Sequence, residues 1–269
     1  MKCTRPIKLS SKKNGVRYDW EVPCNRCISC RKTKISEWTA RIKAEISTKE
    51  IPSHFITLTY SDESLPFSEN ISTLLKKDLQ NFNKRLRKKN KDYIKYFCCG
   101  EYGENTLRPH YHGIYINLNL TRTELVKCWG MGDVHVGTVT DSSIKYVVSY
   151  CINKSKKEDY LPAEQPFQIN SNNIGIDWLK KNLEQVSKDG YLKYNGNKIP
   201  IPKTWKDKFP EVKKGSINAR LKNIKKYKNW KDVTENWHTE GLKNEIETRE
   251  QRELKEELTA KRKNQKNKI

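Results

Sequence analysis

The feature that most constrains the fold is a pair of histidines, His110 and His112, at the start of the apolar stretch HYHGIYINL. Successive side chains of a β-strand point to opposite faces, so in a strand both imidazoles share one face and Tyr111 points to the other. Two imidazoles on one face can bind the same metal ion. The same spacing also arises by chance, with one histidine at the surface and the other satisfied by a hydrogen bond.

A second strand, YIKYFCC (93–99), precedes the pair and predicts a β-hairpin with the long connection GEYGENTLRP. Glu101 lies nine residues before His110, and a hairpin brings the two ends of its connection together. We therefore expect the carboxylate to approach the imidazoles. One carboxylate and two imidazoles leave open positions on a divalent ion, as a catalytic site requires.

The remaining periodicities predict helices over 31–46, 75–91 and 121–130, and strands over 54–60 and 131–139. Together with the hairpin they predict an α+β fold. Its core is a central antiparallel sheet with the histidine pair on a central strand and helices on the outer face of the sheet.

Composition divides the chain into four segments. Residues 1–30 form a cysteine-bearing segment, and 31–160 form the main domain. Residues 161–241 contain Pro, Asn and Gly with scattered aromatic residues, which predicts an irregular basic extension packed on the core. Residues 242–269 are highly charged with few apolar side chains, which predicts a solvated helix or a disordered tail.

The segment SSIKYVVSYCINKSKK (142–157) is predicted to be a helix that presents Tyr146, Tyr150 and Lys154 on one face. Tyrosine is a poor nucleophile near neutral pH, because its pKa is about 10. A metal ion that withdraws charge from a phosphate oxygen, with a lysine nearby, makes attack on phosphorus feasible. The alternative is an amphipathic helix that buries aromatic rings at core spacing.

A formal charge of +22, from 54 basic and 32 acidic residues, suggests a polyanionic partner and above all nucleic acid. The alternative is a solvated basic surface with no partner. The helix over 75–91 carries eight basic residues against one acidic, and 213–231 carries eight against none, with Tyr227 and Trp230 available for base stacking. The candidate DNA-contacting residues are Lys84, Arg85, Arg87, Lys88 and Arg108.

Four of the eight cysteines precede residue 31, namely Cys3, Cys24, Cys27 and Cys30. The last three have C-x-x-C-x-x-C spacing, and Cys3 can complete four thiolates around a structural Zn²⁺. An iron–sulfur site and a tight turn of reduced thiols are the alternatives. The other cysteines lie in apolar settings typical of core residues.

No apolar run approaches the roughly 18 residues of a membrane span, and the first residues lack the apolar stretch of a signal peptide. The sequence therefore predicts no membrane association and a cytoplasmic location.

Three segments carry a family resemblance: FITLTY (55–60), RPHYHG (108–113) and YVVSYCINK (146–154). Their order and spacing resemble motifs I, II and III of the HUH endonucleases, the rolling-circle replication initiators named for histidine–hydrophobic–histidine. The stretches PCNRCISCRKTKISEWTARI, CGEYGENTLRPHYHGI and KYVVSYCINK look like the replication initiators of gokushovirus-like microviruses, small phages with circular single-stranded DNA. The resemblance covers roughly residues 20–160.

The resemblance implies an HUH nicking domain in which Glu101, His110 and His112 bind Mg²⁺ or Mn²⁺. Tyr146 or Tyr150 would attack single-stranded or supercoiled phage DNA at the origin, leaving a 5′-phosphotyrosine and a free 3′-hydroxyl, and would later rejoin the strand. If one tyrosine acts, we favour Tyr146. Lys154 would hold the phosphate or stabilise the leaving group. A host DNA polymerase and a host helicase, in the cytoplasm of the bacterial host, would be the partners.

Two other functions remain open from the sequence. The first is a non-enzymatic single-stranded nucleic-acid-binding protein with a zinc knuckle, for which the charge and aromatic residues suffice. The second is metal-assisted hydrolysis of a phosphodiester by water, without a covalent link.

Overall fold

The structure is a computed structural model that describes residues 3–13, 16–103, 105–152, 162–194 and 196–226. Two compact units divide the chain. The first comprises Met1–Ser36 and Val186–Ile269, and the second comprises Glu37–Gln185. The elements follow in the order β1 (Ile7–Lys13), β2 (Val16–Val22), α1 (Ile28–Ile46), β3 (His54–Thr59), β4 (Phe67–Ser68), β5 (Ile71–Ser72), α2 (Lys76–Lys89), β6 (Lys95–Tyr102), β7 (Pro109–Ile116), α3 (Arg122–Trp129), β8 (Val134–Thr138), α4 (Asp141–Ile152), β9 (Phe167–Asn170), α5 (Ile176–Lys181), α6 (Leu183–Asp189), β10 (Leu192–Tyr194), β11 (Asn197–Ile199), α7 (Lys203–Lys208) and α8 (Pro210–Lys226).

The second unit is built on a five-stranded antiparallel sheet with the strand order β8-β3-β7-β6-β9. Strand β7, which carries the histidine pair, is the middle strand. Its register places Glu101 of β6 opposite His110, and Thr57 of β3 opposite His112. The predicted α+β fold with a central antiparallel sheet is confirmed.

One face of the sheet, called here the outer face, is the face toward which Tyr111 and Tyr115 point. Helices α2 and α3 pack on it. The Tyr115 hydroxyl donates to Asn83 Oδ1 of α2 at 2.9 Å, and the Tyr111 ring lies 5.7 Å from that of Trp129 at the end of α3. Both tyrosines and Trp129 are at most 1% exposed. Burial of such large rings fixes which way the strand faces, because a one-residue slip would expose them all.

The opposite face, called the histidine face, carries His110, His112 and Glu101. It is covered by α4 and by the Glu37–Ile46 part of α1. The Trp38 ring packs on Phe97 of β6 at 4.7 Å between centroids. Helices therefore lie on both faces of the sheet, with the tyrosine-bearing helix on the side of the histidines.

Helix α3 illustrates how local sequence sets an element. Thr121 and Glu124 form a reciprocal capping box at its start, and Gly130 ends it in the left-handed conformation at φ 69°. Such caps satisfy backbone groups that a helix terminus leaves without intrahelical partners. The helix predicted over 121–130 accordingly occurs at Arg122–Trp129.

Regular elements occur where an irregular extension was predicted over 161–241. Strand β9 pairs with β6 as an edge strand of the main sheet, and α5 follows it in the same unit. From α6 onward the chain carries a short β10–β11 hairpin and helices α7 and α8. Edge pairing over four residues depends on its partner strand, so a Pro- and Asn-flanked segment gives little local signal. The segment 242–269 lies outside the described residues.

The first unit contains a β1–β2 hairpin whose register runs from Ile7 opposite Val22 to Lys13 opposite Val16. The sequence predicted only a cysteine-bearing segment here. Residues 7–11 are exposed, so the hairpin lacks the apolar alternation by which strands are recognised. Within the described part of the chain, no helix is both long enough and apolar enough to span a bilayer.

Candidate functional site

Glu101, His110 and His112 form a compact trio on the histidine face. Glu101 Oε1 lies 2.9 Å from His110 Nε2 and 2.9 Å from His112 Nε2, and the three ligand atoms lie within 4.8 Å of one another. The side chain of Glu101 is 5% exposed and that of His110 is 19% exposed. The geometry predicted from the hairpin is therefore present: the sequence gap between Glu101 and His110 closes through strand pairing.

The two imidazoles are oriented by their other ring nitrogen. His110 Nδ1 lies 3.0 Å from the Arg108 carbonyl, and His112 Nδ1 lies 2.8 Å from Thr57 Oγ1. A hydrogen bond at Nδ1 fixes the ring and leaves Nε2 to face the shared point, as in metal sites of proteins. Phe55 stacks on the His112 ring at 5.5 Å and an interplanar angle of 11°.

The charges within the trio are coupled. Burial by itself would raise the pKa of Glu101, but the hydrogen bonds from His110 and His112 outweigh it and hold that pKa below its ordinary value. Burial by itself would lower the pKa of His110, yet the hydrogen bond to Glu101 raises it overall. The trio therefore keeps a carboxylate ionised at a point that a cation can occupy.

The trio fits a divalent ion. Glu101 Oε2 is buried and has no hydrogen-bond partner, although a buried carboxylate oxygen normally has one. A bound cation would satisfy this oxygen. Three protein ligands leave open positions, which is the arrangement of a catalytic rather than a structural metal site. A nitrogen–oxygen donor set suits Mn²⁺, and Mg²⁺ is compatible with the carboxylate.

Helix α4 places Tyr146 beside the trio. Its hydroxyl lies 3.3 Å from Glu101 Oε1 and 3.5 Å from His112 Nε2, and its ring meets the His112 ring edge-on at 5.2 Å. The side chain is nevertheless 40% exposed. Burial and the Glu101 carboxylate raise the pKa of Tyr146 well above its ordinary value. A tyrosine hydroxyl thus stands next to a potential metal site and remains open to solvent.

Tyr150 follows one turn later on α4. Its ring lies 4.7 Å from that of Tyr146 and is half-buried, so the stripe of two tyrosines predicted from the sequence is present. Tyr146 is the member of the stripe whose hydroxyl reaches two residues of the trio. Lys154 lies outside the described residues.

The candidate DNA-contacting residues of α2 lie on the other side of the sheet. Helix α2 packs on the outer face, whereas the trio and Tyr146 lie on the histidine face. Lys84, Arg87 and Lys88 are exposed, and the Arg87 guanidinium stacks on Tyr96 at 4.9 Å. A strand bound at the trio would have to pass an edge of the sheet to meet them.

Arg85 and Arg108 have partners within the protein. Arg85 donates to the carbonyl oxygens of Cys128 and, at 3.0 Å, of Trp129, which are the last carbonyls of α3. Arg108 donates to the Tyr60 carbonyl at 2.8 Å and pairs with Asp62 at 2.7 Å. Arg85 therefore holds the end of a helix, and Arg108 holds the hairpin connection at the edge of the site. Tyr227 and Trp230 lie outside the described residues.

The four cysteines before residue 31 also converge, within the first unit. Their sulfur atoms lie within 4.8 Å of one another, so they form a second group able to bind a metal. The group consists of Cys3, Cys24, Cys27 and Cys30. Cys98, Cys99 and Cys128 are buried, as predicted for core residues.

The sequence did not single out Thr57 and Phe55 as residues of the site. Both belong to β3 and lie on the histidine face, where they hold and cover the His112 ring. The signal was available in the alternation of FITLTY, which places residues 55, 57 and 59 on one face. It becomes informative only once β3 is known to pair with β7.

Comparison with known proteins agrees with this geometry. Residues 53–156 match the family model of replication-associated proteins of the ORF2 type, a range that includes the trio and α4. "Replication-associated protein ORF2" of Spiroplasma virus 4 is 26% identical over 78% of this chain and 83% of its own length. "Replication-associated protein VP4" of Bdellovibrio phage phiMH2K is 29% identical over 77% of this chain and 76% of its own length.

A third relative, "Replication-associated protein ORF4" of Chlamydia phage 1, is 25% identical over 71% of this chain and 54% of its own length. No solved structure matches the chain. The resemblance indicated by the three motifs is thereby confirmed: this chain belongs to the replication-associated proteins of the microvirus-like phage type.

Proposed function

We propose that this chain nicks and rejoins phage DNA at the replication origin by tyrosine attack, with Tyr146 as the first nucleophile. The observation that carries the proposal is the position of the Tyr146 hydroxyl, 3.3 Å from the nearest oxygen of Glu101 and 3.5 Å from His112 Nε2. A group that merely packs in a core needs no such approach to three convergent ligands. Its 40% exposure leaves room for a phosphodiester to reach it.

Glu101, His110 and His112 would hold Mn²⁺ or Mg²⁺. When bound, the ion supplies Lewis-acid polarisation of the scissile phosphate and thereby favours attack by a weak nucleophile. Thr57 and the Arg108 carbonyl keep the imidazoles oriented, and Phe55 covers one face of the His112 ring and excludes water there.

In the reaction, the Tyr146 oxygen forms a bond to phosphorus as the bond from phosphorus to the 3′-oxygen breaks. The tyrosine loses its proton, and the departing 3′-oxygen gains one to become a free 3′-hydroxyl. The 5′-phosphotyrosine link retains the energy of the phosphodiester, so the reverse transesterification reseals the strand. Tyr150, with its ring in contact with Tyr146, is placed to take part in a second transfer. Lys154 is proposed to stabilise the phosphate or the leaving group.

The partners in this proposal are single-stranded DNA at the origin, and a host polymerase and helicase that use the 3′-hydroxyl in the host cytoplasm. The formal charge of +22 favours a polyanionic substrate. The exposed basic residues Lys84, Arg87 and Lys88 are proposed to contact DNA away from the cleavage point. Their position on the outer face suits a strand that wraps around the edge of the sheet.

The experiment that tests the proposal incubates the full chain and Mn²⁺ with end-labelled single-stranded DNA and resolves the products on a denaturing gel. We expect a metal-dependent covalent adduct that is lost in Tyr146→Phe and kept in Tyr93→Phe, a matched change at an exposed tyrosine of the same unit. Cleavage without an adduct would indicate hydrolysis by water. Binding with neither cleavage nor adduct would indicate a non-enzymatic nucleic-acid-binding protein.

A further inference from the structure

The four-cysteine group of the first unit has the geometry of a mononuclear metal site. Cys3 Sγ lies 3.5 Å from Cys24 Sγ and 3.8 Å from Cys27 Sγ, and Cys24 Sγ lies 4.0 Å from Cys30 Sγ. Four sulfurs at about 2.3 Å from a tetrahedral Zn²⁺ are separated from one another by about 3.8 Å. The observed separations therefore match the edges of a zinc tetrathiolate.

These separations argue against the two other states of such a group. A disulfide requires a sulfur–sulfur distance of about 2.05 Å, and each of these cysteines is free. In a polynuclear iron–sulfur cluster the protein thiolates bind different irons, which spreads them beyond the contact distances found here. The sulfurs instead surround one point.

Backbone amides around the group are directed at the sulfur atoms. Cys24 N donates to Cys3 Sγ at 3.3 Å, Cys27 N donates to Cys24 Sγ at 3.3 Å, and Cys30 N donates to Cys27 Sγ at 3.5 Å. Asn25 reaches a positive φ of 59° in the turn between the first two sulfurs of the C-x-x-C pair, a conformation that Asn tolerates. Amide donors toward sulfur stabilise thiolates, which are the form that binds metal.

The site also answers a stability problem in the first unit. The β1–β2 hairpin lies between Cys3 and Cys24, and residues 7–11 of its first strand are exposed. An isolated two-stranded hairpin is at best marginally stable in water. Cross-linking its two ends to the start of α1, where Cys30 lies, would hold it without a hydrophobic core of its own.

We infer that Cys3, Cys24, Cys27 and Cys30 bind one structural Zn²⁺ that fastens the β1–β2 hairpin to the start of helix α1. Four thiolates complete the tetrahedron and leave no position for substrate. The site is independent of the nicking chemistry and would persist in a chain that cannot cleave DNA.

The test measures metal content by plasma mass spectrometry on the full chain purified in metal-free buffer. We expect about one zinc per chain in the wild type, as for structural sites whose metal is retained through folding. His112→Ala should keep this zinc, because it alters only the trio. Cys128→Ala, a change at a buried cysteine outside the group, should also keep it, whereas Cys30→Ser should lose it.

A second measurement covers the case in which Cys30→Ser does not fold. Wild-type protein refolded with Co²⁺ should show the intense near-ultraviolet absorption of thiolate-to-cobalt charge transfer and the visible bands of a tetrahedral ion. A folded, metal-free wild type would overturn the inference. So would zinc that is lost in His112→Ala but retained in Cys30→Ser, or a cobalt spectrum without the thiolate band.

Discussion

Two clusters of metal-ligating side chains in this chain differ in nearly every respect that separates a reactive site from a structural one. The Glu101–His110–His112 trio offers three ligands on the two central paired strands of a sheet. The four-cysteine group offers four thiolates at the end of a hairpin. The trio leaves a buried carboxylate oxygen without a partner and has a tyrosine hydroxyl beside it, whereas backbone amides already surround the sulfurs.

The difference teaches how ligand number and support decide what a metal can do. An ion held by three ligands can bind a phosphate in its open positions, and it must be held by second contacts such as Thr57 to stay in place. An ion held by four thiolates has its coordination complete and contributes folding free energy instead. The following changes break or sharpen this contrast, from the largest expected effect to the smallest.

His112→Ala removes a ligand from the open site. We expect the nicking rate to fall by at least about 1,000-fold, because the loss of a Lewis acid at the phosphate costs several kcal/mol of transition-state stabilisation. Single-strand binding and zinc content should stay near wild type. Gel-based cleavage and a fluorescence-anisotropy titration measure the two. His54→Ala, a change on the outer-face register of β3, is the matched control. Equal loss of cleavage and binding would contradict the assignment.

Dialysis against metal-free buffer with a weak chelator such as citrate separates the two metals. Nicking should fall to background and return on addition of Mn²⁺, because an ion with open positions exchanges freely. The zinc content and the midpoint of thermal unfolding should not change, since a tetrathiolate binds with an apparent free energy of about 10–16 kcal/mol. If zinc left with the activity, the contrast between an open and a closed site would fail.

Thr57→Ala tests the support of the open site. Loss of the hydrogen bond at 2.8 Å to His112 Nδ1 should reduce nicking by about 10–100-fold, the usual effect of removing a contact that orients a ligand. The Mn²⁺ concentration for half-maximal activity should rise as well, which a purely structural defect would not cause. Thr57→Ser, which keeps the hydroxyl, should restore both values. A Thr57→Ser variant as impaired as Thr57→Ala would show that the methyl group, not the hydrogen bond, matters.

Arg85→Ala tests the division of roles among the basic residues of α2. Because Arg85 donates to the last carbonyls of α3, its removal should lower the free energy of unfolding by about 1–2 kcal/mol. Lys84→Ala, at the neighbouring exposed position, should change it by less than about 0.5 kcal/mol. Urea denaturation measures both. Equal stability of the two variants would mean that the Arg85 contacts contribute nothing.

Much of the open site could be predicted from sequence because its geometry follows from local rules. Strand alternation placed both imidazoles on one face, and hairpin closure brought Glu101 to them. Helical periodicity placed Tyr146 and Tyr150 one turn apart. Each inference needed only the period of an element and the knowledge that neighbouring strands pair.

What sequence did not reveal depends on contacts distant along the chain. Strand β9 is defined by its pairing with β6, and the β1–β2 hairpin has exposed residues with no apolar alternation. The position of α2 on the outer face follows from the burial of Tyr111 and Tyr115 against it, which no local pattern specifies. A basic helix therefore looked like part of a DNA surface at the site, although the sheet lies between them.

The most direct test of the central claim is to identify the tyrosine that becomes linked to DNA. Trypsin cleavage after Lys145 and Lys154 releases the peptide YVVSYCINK (146–154), which contains both candidates. Nuclease digestion of the adduct, followed by fragmentation of this peptide in a mass spectrometer, locates the residual nucleotide. The account predicts the nucleotide on Tyr146 in a first-turnover adduct formed with Mn²⁺. A nucleotide only on Tyr150, or an unmodified peptide from DNA that has been cleaved, would contradict it.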